Sequence, residues 1–221
     1  MSDQGPLPDG SLSDFGLIET LLWTPGQGFH LLDEHMSRLA SSAAALGFRH
    51  AASDALAALD AAVKSVDAKR LRVRLVLQRE GNVEAVAAAI EPTPAETVWR
   101  VVPARRRFES ADPLLRHKTT RRELYEGELA ASGADEVLFR NERGEICEGA
   151  RANVFLRQGD LLLTPPASCG LLPGTLRARL IAEGQAKEEI LTLERLAEAE
   201  FLMGNSVRGL VRARLEPQSA A

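Results

Sequence analysis

The chain has 221 residues, 45% hydrophobic and 26% charged, with a formal net charge of −4. That length is enough to bury a real core, as one large domain or two small ones. The acidic balance excludes general attraction to nucleic acid or an anionic membrane, and no apolar run is long enough to span a bilayer.

Residues 1–14 are polar, contain glycine and proline, and lack the apolar core of a signal peptide, so they read as a frayed lead-in. Residues 15–23 form a strand. Met36, Leu39, Ala43 and Leu46 recur at spacings of three and four, which predicts a helix over 33–46, ended by Gly47 and capped by Asp33 or the residue before it. An alanine-rich helix follows over 53–66, with Leu56, Leu59 and Val63 on one face. From 70 to 77 the pattern alternates strictly, Leu71, Val73, Leu75 and Leu77 on one side and arginines on the other. A turn at 80–82 joins this half-buried strand to a partner over 83–90. Pro92 and Pro94 break the chain before a strand at 98–103, and the charged stretch 105–113 is placed as an interdomain link.

The second half carries a helix over 121–131, then short strands at 136–140, 145–147, 153–157 and 161–164. A helix over 175–183 starts after Pro173-Gly174, and strands near 189–193, 200–203 and 209–215 close the chain. The pattern is α+β, with a small domain over 1–108, a larger-sheet domain over 109–221 and a site between them.

Cys147 and Cys169 fit no zinc or redox spacing and read as reduced packing residues. The four histidines show no paired metal-ligand spacing, so a metal-free cytoplasmic protein is expected. Two residues stand out. Lys118 lies in His117-Lys118-Thr119-Thr120-Arg121-Arg122, and Glu148 lies in Ile146-Cys147-Glu148-Gly149-Ala150. An amine that forms a Schiff base with an aldehyde and a carboxylate that keeps a ring nitrogen protonated are what pyridoxal phosphate needs from a protein. His117, Arg121 and Arg122 would lower the lysine pKa by adding positive potential. Gly174-Thr175-Leu176 opens a helix, whose unpaired N–H groups suit a phosphate, although a plain Pro-Gly helix start reads the same way. Arg38, opposite Met36 and Leu39, is by pattern alone a solvated helix arginine.

Five ordered segments together resemble the class IV (fold type IV) pyridoxal-phosphate enzymes, which include branched-chain and D-amino-acid aminotransferases and 4-amino-4-deoxychorismate lyase. They are Leu32-Asp33-Glu34-His35-Met36-Ser37-Arg38-Leu39, the Lys118 run, Glu148 through Phe155, Thr164-Pro165-Pro166 with Gly170 through Arg177, and Gly204-Asn205-Ser206-Val207-Arg208-Gly209-Leu210. The wording HKTTRR and GNSVRGL is most similar to the lyase-type domain that some bacteria fuse to, or encode beside, aminodeoxychorismate synthase.

The resemblance implies a two-domain fold like that of D-amino-acid aminotransferase, with the cofactor between the domains. It implies Lys118 as the Schiff-base and proton-shuttling residue, and Glu148 on a strand end against the ring nitrogen. It gives Arg38 the cofactor phosphate, with the amides of Thr175 and Leu176 and the loop at Asn205-Ser206 completing the cradle. Asn153 orders the Glu148 turn or its carboxylate. Arg107 and Arg208, with Arg105, are candidates for substrate carboxylates or for rim salt bridges. Tyr125 is a substrate-side candidate or helix packing.

A homodimer is implied, and association with aminodeoxychorismate synthase is consistent with the motif wording. Two reactions fit: lysis of aminodeoxychorismate to 4-aminobenzoate and pyruvate for folate synthesis, or transamination of branched-chain, D- or other small amino acids. The branched-chain enzymes place a tyrosine five positions after their lysine, where this chain has Glu123, and the usual Asp-Arg-Gly-Phe-type loop is reduced to Ser13-Asp14-Phe15-Gly16. Both departures weaken a standard branched-chain transaminase reading, and the wording of the HKTTRR and GNSVRGL segments favours the lyase.

Overall fold

The computed structural model describes residues 15–197 and 199–216. The lead-in expected at 1–14 lies outside them. The chain opens with β1 (Leu17–Thr24) and β2 (Gly28–Phe29), then α1 (Leu32–Leu46), α2 (Ala52–Lys64), β3 (Leu71–Leu77) and β4 (Val83–Ala89). The strands form an antiparallel sheet in the order β2-β1-β3-β4. Alternation in β3 does what its period of two requires: Leu71, Val73, Leu75 and Leu77 are completely buried beneath the helices, and Arg72 and Arg74 are exposed. Each such leucine contributes about 1.5–3 kcal/mol by leaving water.

Two details of the helices differ from the sequence reading. No side chain caps α1; the chain enters it through Leu31 in the left-handed region at φ 54°, a conformation rare for a residue with a Cβ. Its end is as expected, with Gly47 left-handed and donating its N–H to the Ala43 carbonyl. On α2 the buried face is Ala55, Leu59 and Ala62, and Leu56 is 40% exposed. Alanines allow the helix to lie close on the sheet, so the small residues rather than the leucine at 56 define its inner face.

The second sheet has eight strands. Its elements are β5 (Val98–Phe108), α3 (Glu123–Ser132), β6 (Glu136–Asn141), β7 (Ile146–Gly149), β8 (Asn153–Gln158), β9 (Leu161–Thr164), α4 (Thr175–Ala182), β10 (Ala186–Glu188), α5 (Leu193–Ala197), β11 (Phe201–Asn205) and β12 (Gly209–Leu215). The strand order is β10-β9-β8-β11-β12-β5-β6-β7. A boundary at residue 108 does not coincide with the sheets. β5 runs parallel between β12 and β6, inside the larger sheet, and the two sheets part at 91–97. A register irregularity between Pro103 and Arg107 interrupts the alternation, so the arginines at 105–107 look like a linker although the strand continues through them to buried Phe108. The strand expected near 189–193 is also displaced. β10 ends at Glu188, Leu191 packs into the core, and α5 begins at Leu193.

The segment after β5 returns to the small sheet. A short 3-10 turn (Pro113–Arg116) starts on Asp112, whose side chain accepts the Leu114 N–H at 2.9 Å. Residues 118–120 then run beside β1: Ile18 N–H donates to the Lys118 carbonyl at 2.8 Å, and Thr120 N–H to the Gly16 carbonyl at 2.9 Å. This lashing fixes the Lys118 backbone at the junction of the two sheets.

Candidate active site

A cavity of about 410 Å³ lies at that junction. Its wall takes Arg38 from α1, Lys118 from the lashed segment, Tyr125 from α3, Glu148 from β7, Thr175 from α4, and Asn205 and Ser206 from the end of β11; Arg107 stands at its rim. Three sequence candidates do not line it, the first being Arg105, which is exposed on β5. Arg208 points elsewhere, donating from Nη1 to the Glu91 carbonyl at 3.3 Å. Leu176 packs its side chain beside Phe155 and Leu180, so only its backbone amide at the start of α4 is available to a ligand.

Burial in this cleft, with the Arg122 and Arg38 guanidinium groups, lowers the Lys118 amine to about 8, and Glu19 and Glu148 offset this in part. The other expected neighbours do different work. His117 Nδ1 meets the Ser42 hydroxyl at 2.9 Å, and the Arg121 guanidinium lies 5.0 Å from the Phe15 ring centre.

Glu148 is buried within β7. Burial raises its carboxyl to about 7 against the lowering effects of a Tyr125 hydrogen bond, the Leu172 N–H, Arg122 and Lys118. Asn153 does not meet the carboxylate. Its Nδ2 donates to the Leu172 carbonyl at 2.9 Å, so it steadies the residue whose N–H reaches Glu148. Glu136, completely buried at the start of β6, accepts the N–H groups of Ala150 at 3.1 Å and Arg151 at 2.7 Å and clamps the turn that follows Glu148. A Cβ at Gly149, the last residue of β7, would lie 2.4 Å from Met203 Cε and 3.1 Å from the Val137 carbonyl oxygen, so a larger residue there must displace its neighbours.

Arg38 is held by Glu19, which the sequence reading missed. Nε and Nη2 of Arg38 donate to the two Glu19 oxygens at 2.9 and 2.6 Å, leaving the Nη1 edge with only a 3.4 Å contact to the Pro173 carbonyl. His35 Nδ1 lies 2.5 Å from Glu19 Oε2. Burial pushes Glu19 up, but Arg38 and the bonds from His35 and Arg38 prevail and hold it at about 2. Burial chiefly, against Glu19, lowers the His35 pKa, so the ring is neutral near pH 7. A carboxylate only accepts, so the ring hydrogen is on Nδ1, and the single Nε2 lone pair accepts from one of two hydroxyls, Ser206 at 3.1 Å or Thr175 at 3.2 Å. The signal for Glu19 was its parity: in β1 it shares the inward face with Leu17 and Leu21, where a charge must have a partner.

Thr175 begins α4 directly after Gly174, where a Cβ would sit 2.1 Å from Asn153 Oδ1. The Asn205 carboxamide accepts the N–H groups of Val207 at 3.0 Å and Arg208 at 2.9 Å and donates to the Arg151 carbonyl at 3.0 Å, so it shapes the loop that presents Ser206. One cavity therefore joins a guanidinium, two hydroxyls and a helix N-terminus at one side with an amine and a buried carboxylate. That donor set fits a phosphorylated pyridine aldehyde: Arg38, Thr175 and Ser206 would hold its phosphate, Lys118 its aldehyde and Glu148 its ring nitrogen.

The chain is similar to known proteins over most of its length. The family described as Amino-transferase class IV matches residues 16–215. Aminodeoxychorismate lyase of Bacillus subtilis (strain 168) is 28% identical over 232 residues, covering 93% of this chain and 79% of that protein. A Schizosaccharomyces pombe protein named "putative aminodeoxychorismate lyase" is 27% identical over 221 residues, 95% of this chain and 94% of its own. A crystal structure from Mesorhizobium loti, described as a "putative amino-acid aminotransferase", is 45% identical with a TM-score of 0.88, covering 92% of this chain and 100% of that one. The chain belongs to the class IV aminotransferase family, a family of pyridoxal-phosphate enzymes, and has their type IV fold.

Proposed function

We propose that the protein is a pyridoxal-phosphate-dependent 4-amino-4-deoxychorismate lyase, releasing 4-aminobenzoate and pyruvate for folate synthesis. The observation that carries this reading is the charge of the cavity lining, in which Arg38, Arg107, Arg121, Arg122, Arg151 and Lys118 outnumber Glu109, Asp112, Glu123 and Glu148. Such a wall suits a small amine bearing more than one carboxylate. The two relatives named for this lyase, each matching more than 90% of the chain, support it.

Pyridoxal phosphate, when bound, supplies an electron sink for the charge left on the carbon next to nitrogen. Glu148 keeps the sink effective by holding the ring nitrogen protonated. Arg38, Thr175, Ser206 and the α4 amides would hold the phosphate. Lys118, lowered to about 8, has a neutral fraction at neutral pH and takes the proton next to nitrogen. It then returns a proton to the departing three-carbon enol as the carbon–oxygen bond to it breaks.

The second reading is a class IV aminotransferase, favoured by the description of the 45% identical structure from Mesorhizobium loti. Aminodeoxychorismate made in situ from chorismate and glutamine separates the two. The lyase releases 4-aminobenzoate and pyruvate in equal amounts over many turnovers with no keto acid present. A transaminase stalls after one turnover until a keto acid is added. Acceptor-dependent activity on alanine, a branched-chain or a D-amino acid, with none on aminodeoxychorismate, would overturn the lyase. We further propose a cytoplasmic homodimer that works beside aminodeoxychorismate synthase, supported by the family's habit and by the wording of the Lys118 and Asn205 segments.

A further inference from the structure

We propose that Tyr125 is a positioning residue: its phenol sets the basicity of Glu148 and thereby how firmly a ring nitrogen placed against that carboxylate keeps its proton. The inference rests on the reading of the cavity as a pyridoxal phosphate site, and it moves Tyr125 from the substrate side of the cavity to the cofactor side.

The geometry is specific. The Tyr125 hydroxyl donates to Glu148 Oε1 at 3.0 Å. Its ring is wedged 5.3 Å from Phe108 and 5.1 Å, edge-on, from Phe139, and those two rings stack at 4.5 Å. The Arg122 guanidinium covers the phenol ring at 4.6 Å. So held, the hydroxyl has one direction in which to donate. Burial and the neighbouring Glu148 charge push the phenol far above its ordinary range, so it remains a donor at any working pH.

The groups that face Glu148 are the Tyr125 hydroxyl from α3, Arg122 just before it, Lys118 from the lashed segment and the Leu172 N–H. Cys147, its neighbour on β7, is kept neutral by burial. Arg122 and Lys118 act through charge; Tyr125 is the side chain that bonds to the carboxylate.

A carboxylate that accepts a phenol hydrogen bond is a weaker base. Where it meets a ring N–H, the shared proton stays with the stronger base. Burial has already made Glu148 unusually basic for a carboxylate. Without the phenol it would draw the proton off the ring and leave a neutral pair, which withdraws electrons poorly. Tyr125 opposes burial at the one place where burial harms function.

The chain contains a single tyrosine, which permits a test in both directions. Tyr125→Phe keeps the aromatic wedge and removes only the donor. Biosynthetic incorporation of 3-fluorotyrosine alters the same phenol alone and makes it a stronger donor. In the unliganded protein the Glu148 carboxyl, followed by carbon-13 NMR, is expected to titrate about one pH unit higher in Tyr125→Phe and lower in the fluorinated protein. With nitrogen-15-labelled pyridoxal phosphate bound, the ring nitrogen signal is expected to move toward the unprotonated position in Tyr125→Phe, with cofactor affinity within about threefold of the parent. Unchanged Glu148 titration in both proteins, or an unchanged ring nitrogen signal, overturns the proposal. Failure of the parent protein to take up pyridoxal phosphate would sink the cofactor reading instead, and the Glu148 titration would still decide whether Tyr125 sets its basicity.

Discussion

The buried Glu19 carboxylate accepts His35 Nδ1 at 2.5 Å on an oxygen that also receives Arg38 Nη2 at 2.6 Å, so one anion on β1 orients two side chains of α1. Through Arg38 it presents a guanidinium edge to the cavity. Through His35 it reaches the hydroxyls of Ser206 and Thr175, which come from β11 and α4. The small sheet and the large sheet thus share one polar network beneath the proposed phosphate cradle.

That network should make the protein labile to acid. Glu19 is held at about 2, below its ordinary value, so its contribution to stability is complete above about pH 4.5 and disappears as pH falls toward 2. His35, lowered by burial, adds loss of the same sign as pH drops below its ordinary value. The Glu19 contribution is about 3 kcal/mol at neutral pH. Glu19→Gln is expected to lower the melting temperature at pH 7 and to converge with the parent near pH 2. Parallel melting curves across the whole range would refute the assignment.

Glu148 carries the opposite sign. Its folded value of about 7 lies above the unfolded one, so in the unliganded protein it costs nothing below about pH 4.5 and destabilises increasingly up to pH 7. Glu148→Gln should therefore stabilise the unliganded protein by as much as about 3 kcal/mol at pH 8 and scarcely at all at pH 4. Thermal unfolding at the two pH values reads this directly.

Cofactor retention and turnover should separate between two variants. Arg38→Ala removes a charge-assisted partner of phosphate and leaves Glu19 buried without the two hydrogen bonds Arg38 donates, a loss of about 2–5 kcal/mol in affinity for pyridoxal phosphate. Glu148→Gln should keep most of the affinity and lose turnover. Equilibrium dialysis against the cofactor, together with rates at saturating cofactor, distinguishes them. Equal loss of binding in both contradicts the division of roles.

Protein loaded with pyridoxal phosphate should be yellow, and borohydride should bleach it irreversibly and leave the reduced adduct on Lys118. Cofactor attachment should accelerate as pH rises through about 8, where the buried amine loses its proton. Lys118→Ala should stay colourless after dialysis. Peptide mapping that finds the adduct on another lysine removes Lys118 from its role.

Local order determined much of this protein before any fold was known. The period of two in β3, the spacing of Leu39, Ala43 and Leu46 in α1 and the left-handed stop at Gly47 are properties of neighbouring residues, and all three appear where the sequence puts them. The ordered motifs likewise named Arg38, Lys118, Glu148, Thr175, Asn205 and Ser206, and these share one cavity. Long-range pairing decided the rest. β5 belongs to the large sheet because β12 and β6 flank it, a fact hidden by the irregularity ahead of its arginines. Glu19 gains its role only when α1 folds over β1, and Tyr125 only when α3 brings it onto Glu148 from β7. Arg208, inside a matching motif, turns to the Glu91 carbonyl instead. A motif specifies which chemistry a segment can offer, whereas the partner that orients, desolvates or neutralises a charge comes from a distant part of the chain, where no local pattern records it.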